Sequence, residues 1–127
     1  MQENEELRKK TEKILEATKK NYGFIPVVNQ VLSERPDLFI PNAELSRAVL
    51  EGDGVMERKQ RFLCAVAAAT AIGGEYCVDV QMKHAIEAGA TKDEVLESIA
   101  IGSMMAMTRA QSYALRKYAA NFDVRID

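Results

Sequence analysis

"CAVAAATAIGGEYCVDVQMKHAIEAGATKDEV", residues 64–95, decides the fold class of this chain. Its first part is nearly all small and apolar, which is typical of a helix that neighbouring helices approach closely. The glycine pair 73–74 then interrupts the helical pattern, and Gly89 ends the helix that follows. The segment "TKDE" is a capping box, in which Thr91 caps a third helix and Glu94 reaches back to its start. The stretch therefore predicts three consecutive helices joined by short turns.

Helical periodicity extends over nearly all of the 127 residues. We predict an all-α, compact multi-helix fold that forms a single domain over residues 1–127, with the alanine-rich helix at its centre. The first helix has only a thin apolar face, so we expect it on the surface or against a partner. The last helix either continues past residue 108 or restarts there. The predicted helices cover residues 3–21, 27–32, 37–51, 55–72, 75–88 and the chain from about 92 onward.

The charge balance excludes several classes of partner. A formal net charge of −2 gives no electrostatic reason to bind nucleic acid. Glu75 and Asp79 interrupt the longest apolar run, so no stretch reaches the roughly 18 residues that cross a membrane. The N-terminus "MQENEELRKK" lacks the apolar segment of a signal peptide. We therefore predict a cytoplasmic protein, in which the two cysteines are free thiols or a catalytic group.

One side of the helix predicted over 75–88 carries Cys77, Gln81 and His84, because an α-helix turns by about 100° per residue. Cys77 falls in the first turn, where unpaired N–H groups favour a thiolate. His84 lies about 10 Å further along the axis, whereas a general base must come within about 3 Å. Gln81 lies between them and can form hydrogen bonds, but it cannot act as a base.

We take Cys77 as the candidate catalytic residue and Gln81 and His84 as candidate binding residues. The plainer alternative is that the cysteine is a packing residue and that the histidine is satisfied by hydrogen bonds or faces solvent, which are the more frequent roles of each when it stands alone. Cys64 is expected to be a buried small side chain. Its depth differs from that of Cys77 by about 9 Å across the glycine turn, so we expect no disulfide between them.

A metal site is not indicated, because one histidine and scattered carboxylates lack ligand spacing. We predict no cofactor of any kind. A cluster of methionines is expected to fill the core or a subunit interface: Met104, Met105 and Met107.

Three segments resemble the carboxymuconolactone decarboxylase family, which includes the alkylhydroperoxidase D-like proteins. They are "YGFIPVVNQVLSERPDL" (22–38), the alanine-rich helix, and "GGEYCVDVQMKHAIEAGATKDEVLESIAIG" (73–102). The resemblance extends from about residue 8 to 120. It implies an all-helical fold of the alkylhydroperoxidase D-like type. It also implies assembly into homotrimers or homohexamers, with sites at or near the subunit contacts.

The redox branch of that family carries Cys-x-x-Cys, a histidine four residues after the second cysteine, and a glutamate twelve residues before the first. Here the two cysteine positions hold Gly74 and Cys77, the histidine position holds Gln81, and the glutamate position holds Phe62. The decarboxylase branch also keeps a histidine where this chain has Gln81. The resemblance therefore implies an attacking thiol at Cys77 without the resolving thiol, base and carboxylate of the relay.

Three functions are compatible with these residues. The first is a single-cysteine thiol peroxidase, an oxidoreductase of peroxiredoxin type, weak because its relay is incomplete and dependent on an external thiol reductant. The second is a lactone decarboxylase or another small-molecule binder that uses Gln81 and His84 as polar contacts. The third is a non-catalytic oligomer that keeps only the fold. We favour the first, because Cys77 lies where the scaffold expects the attacking thiol.

Overall fold

The computed structural model describes residues 2–125, which fold into helices without a β-strand in that range. The all-α prediction is thereby confirmed. The described helices are α1 (Gln2–Tyr22), α2 (Val27–Leu32), α3 (Pro36–Leu50), α4 (Arg58–Ile72), α5 (Glu75–Glu87) and α6 (Lys92–Asn121). Within residues 2–125, none of these helices combines the length and the apolar character needed to span a membrane.

The chain divides into two units, Met1–Val55 and Met56–Asp127. The single domain expected over residues 1–127 stays a prediction. In the first unit, α3 packs against both α1 and α2. Lys10 and Glu44 link α1 to α3 through an exposed ion pair of 2.8 Å. α1 ends at Tyr22: the N–H of Gly23 still bonds to the carbonyl of Lys19, and the positive φ of Gly23, 79°, turns the chain out of the helix.

The second unit is built around α4, which packs against α5 and α6. The central position predicted for this helix is confirmed within that unit. Phe62, Val66 and Ala69 recur at helical spacing on one side of α4, and all three are buried. α4 and α6 run in parallel. Lys59 pairs with Glu94 at 3.0 Å, and eight residues further along each helix Ala67 meets Gly102.

Two helix backbones approach each other closely at Gly102. A Cβ atom built there would collide with the carbonyl oxygen of Ala67 and lie 3.0 Å from its carbonyl carbon. Glycine costs a helix interior roughly 1 kcal/mol relative to alanine, so packing must compensate for it. The hydrogen at Gly102 is therefore what allows α6 to lie directly on the backbone of α4.

The turns around α5 follow the glycine signals of the sequence. Gly73 has φ of 75°, its N–H bonds to Thr70, and the next N–H bonds to Ala69, which is a Schellman ending of α4. Gly89 ends α5 in the same way, with φ of 97°. These two endings reverse the chain twice and return it to α4.

The capping box predicted at the start of α6 is confirmed. The amide of Glu94 donates to Thr91 Oγ1 at 3.1 Å, and the amide of Thr91 donates to the Glu94 carboxylate at 2.9 Å. The backbone bond from Thr91 and the neighbouring ammonium of Lys59 lower the pKa of Glu94 below its usual value. The carboxylate thus caps α6 and joins it to α4.

The prediction that Cys64 is buried was wrong, because Cys64 is exposed. It stands two residues after Phe62, about 200° around the helix, and so points away from the packed side of α4. The start of α4 also differs from expectation, and the structure decides between the two alternatives left open for α6. α4 begins at Arg58 rather than at residue 55, because Glu57 before it is extended. α6 continues past residue 108 without a break, since no glycine or proline follows Gly102.

We predict that Gly102→Ala lowers the free energy of unfolding by about 1–3 kcal/mol, because the added methyl group forces α6 away from Ala67. Chemical denaturation followed by circular dichroism measures the change. Ser103→Ala, at the exposed next position of α6, is the matched control and should stay within about 0.5 kcal/mol of the original chain. Equal stability of the two variants would show that α4 and α6 are not in close contact here.

Candidate functional site

Cys77 is a free, exposed thiol in the first turn of α5. The N-cap residue is Gly74, which has no side chain to accept a hydrogen bond. The first helical bond of α5 runs from the amide of Val78 to the carbonyl of Gly74, at 2.8 Å. The amides before Val78 therefore lack a capping acceptor, and such a helix start favours negative charge. Cys77 is the thiol that this end of the helix presents to solvent.

The position of the family's first cysteine is structurally intact, although Gly74 occupies it. A Cβ atom at residue 74 would lie 3.3 Å from the Cβ of Cys77. Disulfide-bonded residues have Cβ atoms about 3.5–4.5 Å apart, so a shift of a few tenths of an ångström gives the bonding distance. The φ of Gly74 is −78°, which any L-residue can adopt. The backbone thus keeps the geometry of a two-thiol site, of which only the thiol of Cys77 is present.

Gln81 lies one turn after Cys77, at the position where the family motif has its histidine. Its side chain is half-buried, and among the described residues its Oε1 atom is buried without a hydrogen-bond donor. A buried acceptor without a donor costs roughly 1–3 kcal/mol, so such groups are rare in folded proteins. A hydrogen-bond donor from outside residues 2–125 of this chain would therefore stabilise the buried Oε1 atom of Gln81.

His84 is buried, with 6% of its surface exposed, and its ring lies against that of Phe62. The ring centroids are 5.0 Å apart and the planes are inclined at 55°. The guanidinium of Arg58 lies 5.2 Å from the centroid of the Phe62 ring. The structure thus places the predicted site residues at three levels of exposure, with Cys77 open, Gln81 partly covered and His84 enclosed.

Phe62 itself shows why the family's proton relay is absent. It occupies the glutamate position of the motif and is 1% exposed, so the core has an aromatic ring where the relay has a carboxylate. A phenyl ring cannot accept or hold a proton. Thiol chemistry at Cys77 must therefore proceed without a carboxylate–base pair at these positions.

Two surface depressions in the described part of the chain lie elsewhere. One, of about 390 Å³, is lined by Glu44, Arg47, Ala48, Glu51, Gly52 and Asp53. The other, of about 200 Å³, is lined by Tyr113, Arg116, Lys117 and Ala120. Over residues 2–125, no group of three or more histidine, cysteine or carboxylate side chains is placed to hold a metal ion.

The role of Gly102 was missed from the sequence, although a signal was present. An isolated glycine inside a helical pattern costs roughly 1 kcal/mol relative to alanine, and a close packing contact is one reason for it. The alanine run of α4 supplies the small surface that such a contact requires.

Residues 2–125 thus form an all-helical fold with an accessible thiol in the first turn of α5. The positions at which the family motif has a second thiol, a base and a carboxylate hold Gly74, Gln81 and Phe62. The family model of the carboxymuconolactone decarboxylase family matches residues 36–120, from α3 through most of α6. The chain belongs to that family. No curated protein and no solved structure gives a significant match to the chain.

We predict that Gly74→Cys forms a disulfide with Cys77 under mild oxidation, because its Cβ falls within a few tenths of an ångström of the bonding distance. Thiol titration should find one free thiol per oxidised chain, that of Cys64, and three after reduction. Gly74→Ser is the control for the added side chain and should keep both of its thiols. Three free thiols in oxidised Gly74→Cys would contradict the geometry described here for the start of α5.

Proposed function

We propose that this protein is a single-cysteine, thiol-dependent peroxidase with Cys77 as the nucleophile. The observation that carries the proposal is the exposure of Cys77 at the uncapped start of α5. Membership of the carboxymuconolactone decarboxylase family supports it, because the matched region includes this segment. The protein acts in the cytoplasm as a homotrimer or homohexamer in this proposal, and the exposed Met104, Met105 and Met107 on α6 support self-association.

The reaction begins when the thiolate of Cys77 attacks one oxygen of a peroxide ROOH. A sulfur–oxygen bond forms, the oxygen–oxygen bond breaks, and the leaving alkoxide takes a proton to become ROH. Cys77 is left as a sulfenic acid. A first external thiol condenses with it to a mixed disulfide and releases water. A second thiol then attacks that disulfide, frees Cys77 and leaves as the oxidised reductant.

The residues at the motif positions support an external reductant and a slow rate. No thiol stands at residue 74 to resolve the sulfenic acid within the chain. Gln81 and Phe62 offer neither a base nor a carboxylate, and a positioned base typically contributes about 10²–10⁴-fold to a rate. We therefore place this protein well below relay-containing enzymes in turnover.

We predict that Cys77→Ser abolishes peroxide consumption in the presence of excess thiol, because in this proposal Cys77 alone forms the sulfenic acid. Cys64→Ser is the matched control, since it removes the other exposed thiol, which lies in the middle of α4. The rate of hydrogen peroxide loss measures activity, and a sulfenic-acid probe locates the oxidised residue by mass spectrometry. Equal rates for the original chain and Cys77→Ser would eliminate the peroxidase and leave a non-catalytic family member.

A second candidate is favoured by the buried Oε1 atom of Gln81. A small molecule with an O–H or N–H donor would supply the hydrogen bond that this oxygen lacks among residues 2–125. For a member of this family, the small molecule in that proposal is a lactone acid, and the reaction is its decarboxylation. His84 would line the same site in this proposal, behind Gln81.

We predict for this candidate that a bound lactone acid raises the melting temperature, since a ligand that binds only the folded state stabilises it. Gln81→Ala should reduce the shift, whereas Lys83→Ala, an exposed change on the same helix, should not. A thermal-shift series with lactone acids measures both. A shift that is unchanged in Gln81→Ala would remove Gln81 from any binding site.

A further inference from the structure

Gln81 carries a buried acceptor that the described part of the chain leaves unsatisfied. Its side chain is half-buried, and its Oε1 atom is buried without a hydrogen-bond donor among residues 2–125. Cys77 belongs to that range, so its reduced thiol does not supply the donor. A buried oxygen without a donor is costly, and any state of the protein that brings a donor to it is therefore stabilised.

Gln81 lies one helical turn after the thiol on the same side of α5. Residues four apart in an α-helix differ by about 40° around the axis and by about 6 Å along it. Side chains on a helix lean toward its N-terminus, so the long side chain of Gln81 extends over the turn that holds Cys77. The same spacing on the same helix brings the ammonium of Lys83 to 3.1 Å from the carboxylate of Asp79. On α5, a short side chain and a long one four residues later are thus within reach of each other.

Oxidation of Cys77 creates a donor at this place. In the peroxidase proposed above, on which this inference rests, the thiolate becomes a sulfenic acid whose hydroxyl oxygen comes from the peroxide. The added oxygen lengthens the Cys77 side chain by one bond, and an O–H group is a stronger donor than the S–H of a thiol. We propose that Gln81 stabilises this oxidised intermediate, because its Oε1 atom accepts the hydrogen bond of the Cys77 sulfenic acid and thereby holds the acid in its protonated form.

The protonation state of the sulfenic acid decides which reaction follows. A thiolate that attacks the sulfur of the protonated acid forms the mixed disulfide, breaks the sulfur–oxygen bond and releases the oxygen as water. The deprotonated sulfenate instead attacks a second peroxide ROOH: its sulfur takes one oxygen, the oxygen–oxygen bond breaks, and a sulfinate and ROH result. The sulfinic acid is not reduced by thiols, so this second reaction ends turnover. A hydrogen bond that keeps the proton on the acid therefore favours reduction by thiol over further oxidation.

A neutral amide is suited to this task in a site with one thiol. Residue 74 is a glycine and offers no second thiol, so the sulfenic acid must persist until an external thiol reaches it. A carboxylate at residue 81 would also accept the hydrogen bond, but its charge would oppose the thiolate that begins the reaction. The amide of Gln81 accepts the hydrogen bond and carries no charge.

The experiment compares the two fates of the same intermediate. It uses the full chain with Cys64→Ser, so that Cys77 is the only thiol, and treats it with hydrogen peroxide and excess 2-mercaptoethanol. Mass spectrometry measures how much Cys77 sulfinic acid forms per peroxide that the protein consumes, and this ratio does not depend on how fast the sulfenic acid forms. Gln81→Met keeps the length of the side chain but lacks the acceptor, and it should raise the ratio at least fivefold.

Two further variants separate the hydrogen bond from packing. Lys83→Met, an exposed change on the same helix, is the matched control and should leave the ratio within twofold of the original. Gln81→Leu is a second variant without an acceptor and should give the same increase as Gln81→Met. Circular dichroism confirms that the variants are folded. A general loosening of the site would speed both reactions of the intermediate, so an unchanged ratio in the folded Gln81 variants overturns the inference.

The lifetime of the intermediate distinguishes failure of this inference from failure of the proposed function. Dimedone labelling at intervals after a tenfold excess of hydrogen peroxide, without thiol, measures how long the Cys77 sulfenic acid persists. In Gln81→Met the lifetime should fall to a fifth or less of the original, because more of the acid is ionised. A sulfenic acid that is equally long-lived in both chains overturns the role of Gln81 and leaves the peroxidase in place. If the original chain forms no sulfenic acid at Cys77, the peroxidase and this inference are both wrong.

Discussion

The second unit depends on the contact between Gly102 and Ala67. Only a hydrogen fits between the backbone of α6 and the carbonyl group of Ala67, so the two helices lie closer there than most side chains permit. The alanine run of α4 makes the opposing surface equally low. Because the helices are parallel and are joined again by Lys59 and Glu94, their register is fixed at two points a little over two turns apart. The position of α5 follows from that register.

α5 is held by its two ends as much as by its packing. The Schellman endings at Gly73 and Gly89 fix where α5 starts and stops, and the glycine at residue 74 leaves its first turn without a capping side chain. Cys77 is exposed there because the two turns leave the start of α5 at the edge of the unit. The accessibility of the thiol therefore depends on these turns and not on the residues of the relay.

At the buried residue 62, a phenyl ring costs less free energy than the carboxylate of the family's relay would. A carboxylate at residue 62 would be almost fully enclosed, and burying a charge is costly unless a partner and hydrogen bonds compensate for it. The phenyl ring instead packs against His84 and beneath Arg58 without any such requirement. Gln81 likewise stands where the family motif has the histidine that would partner that carboxylate. With a phenyl ring at residue 62, no buried carboxylate requires a base at residue 81, although the Oε1 atom of Gln81 stays buried without a donor among residues 2–125.

Sequence periodicity predicted the helices and their turns well, because glycine, proline and capping residues act locally. The glycine pair and the Thr91–Glu94 box gave the turns around α5 correctly. The orientation of α4 could not be read in the same way. Its second half is alanine on every side, so the sequence holds little contrast between a buried and an exposed face, and Cys64 was placed on the wrong one. The burial of His84 could not be decided from the sequence for a different reason, since Phe62, which covers it, lies 22 positions earlier in the chain.

The composition of α6 shows that one helix satisfies two different packing requirements. Toward α4 it presents Val95, Ser98 and Gly102, which are small enough for backbones to meet. α4 has 15 residues and α6 has 30, so parallel helices in this register leave roughly half of α6 with no part of α4 beside it. A solitary helix would gain most from a charged surface there, yet residues 100–122 contain only three charged side chains, all basic and all on one side. An apolar face on the unsupported half of a helix costs solubility unless it is covered. Close packing against α4 therefore explains only one side of α6. The apolar residues on its other side need a different explanation, which lies outside the packed core of this unit.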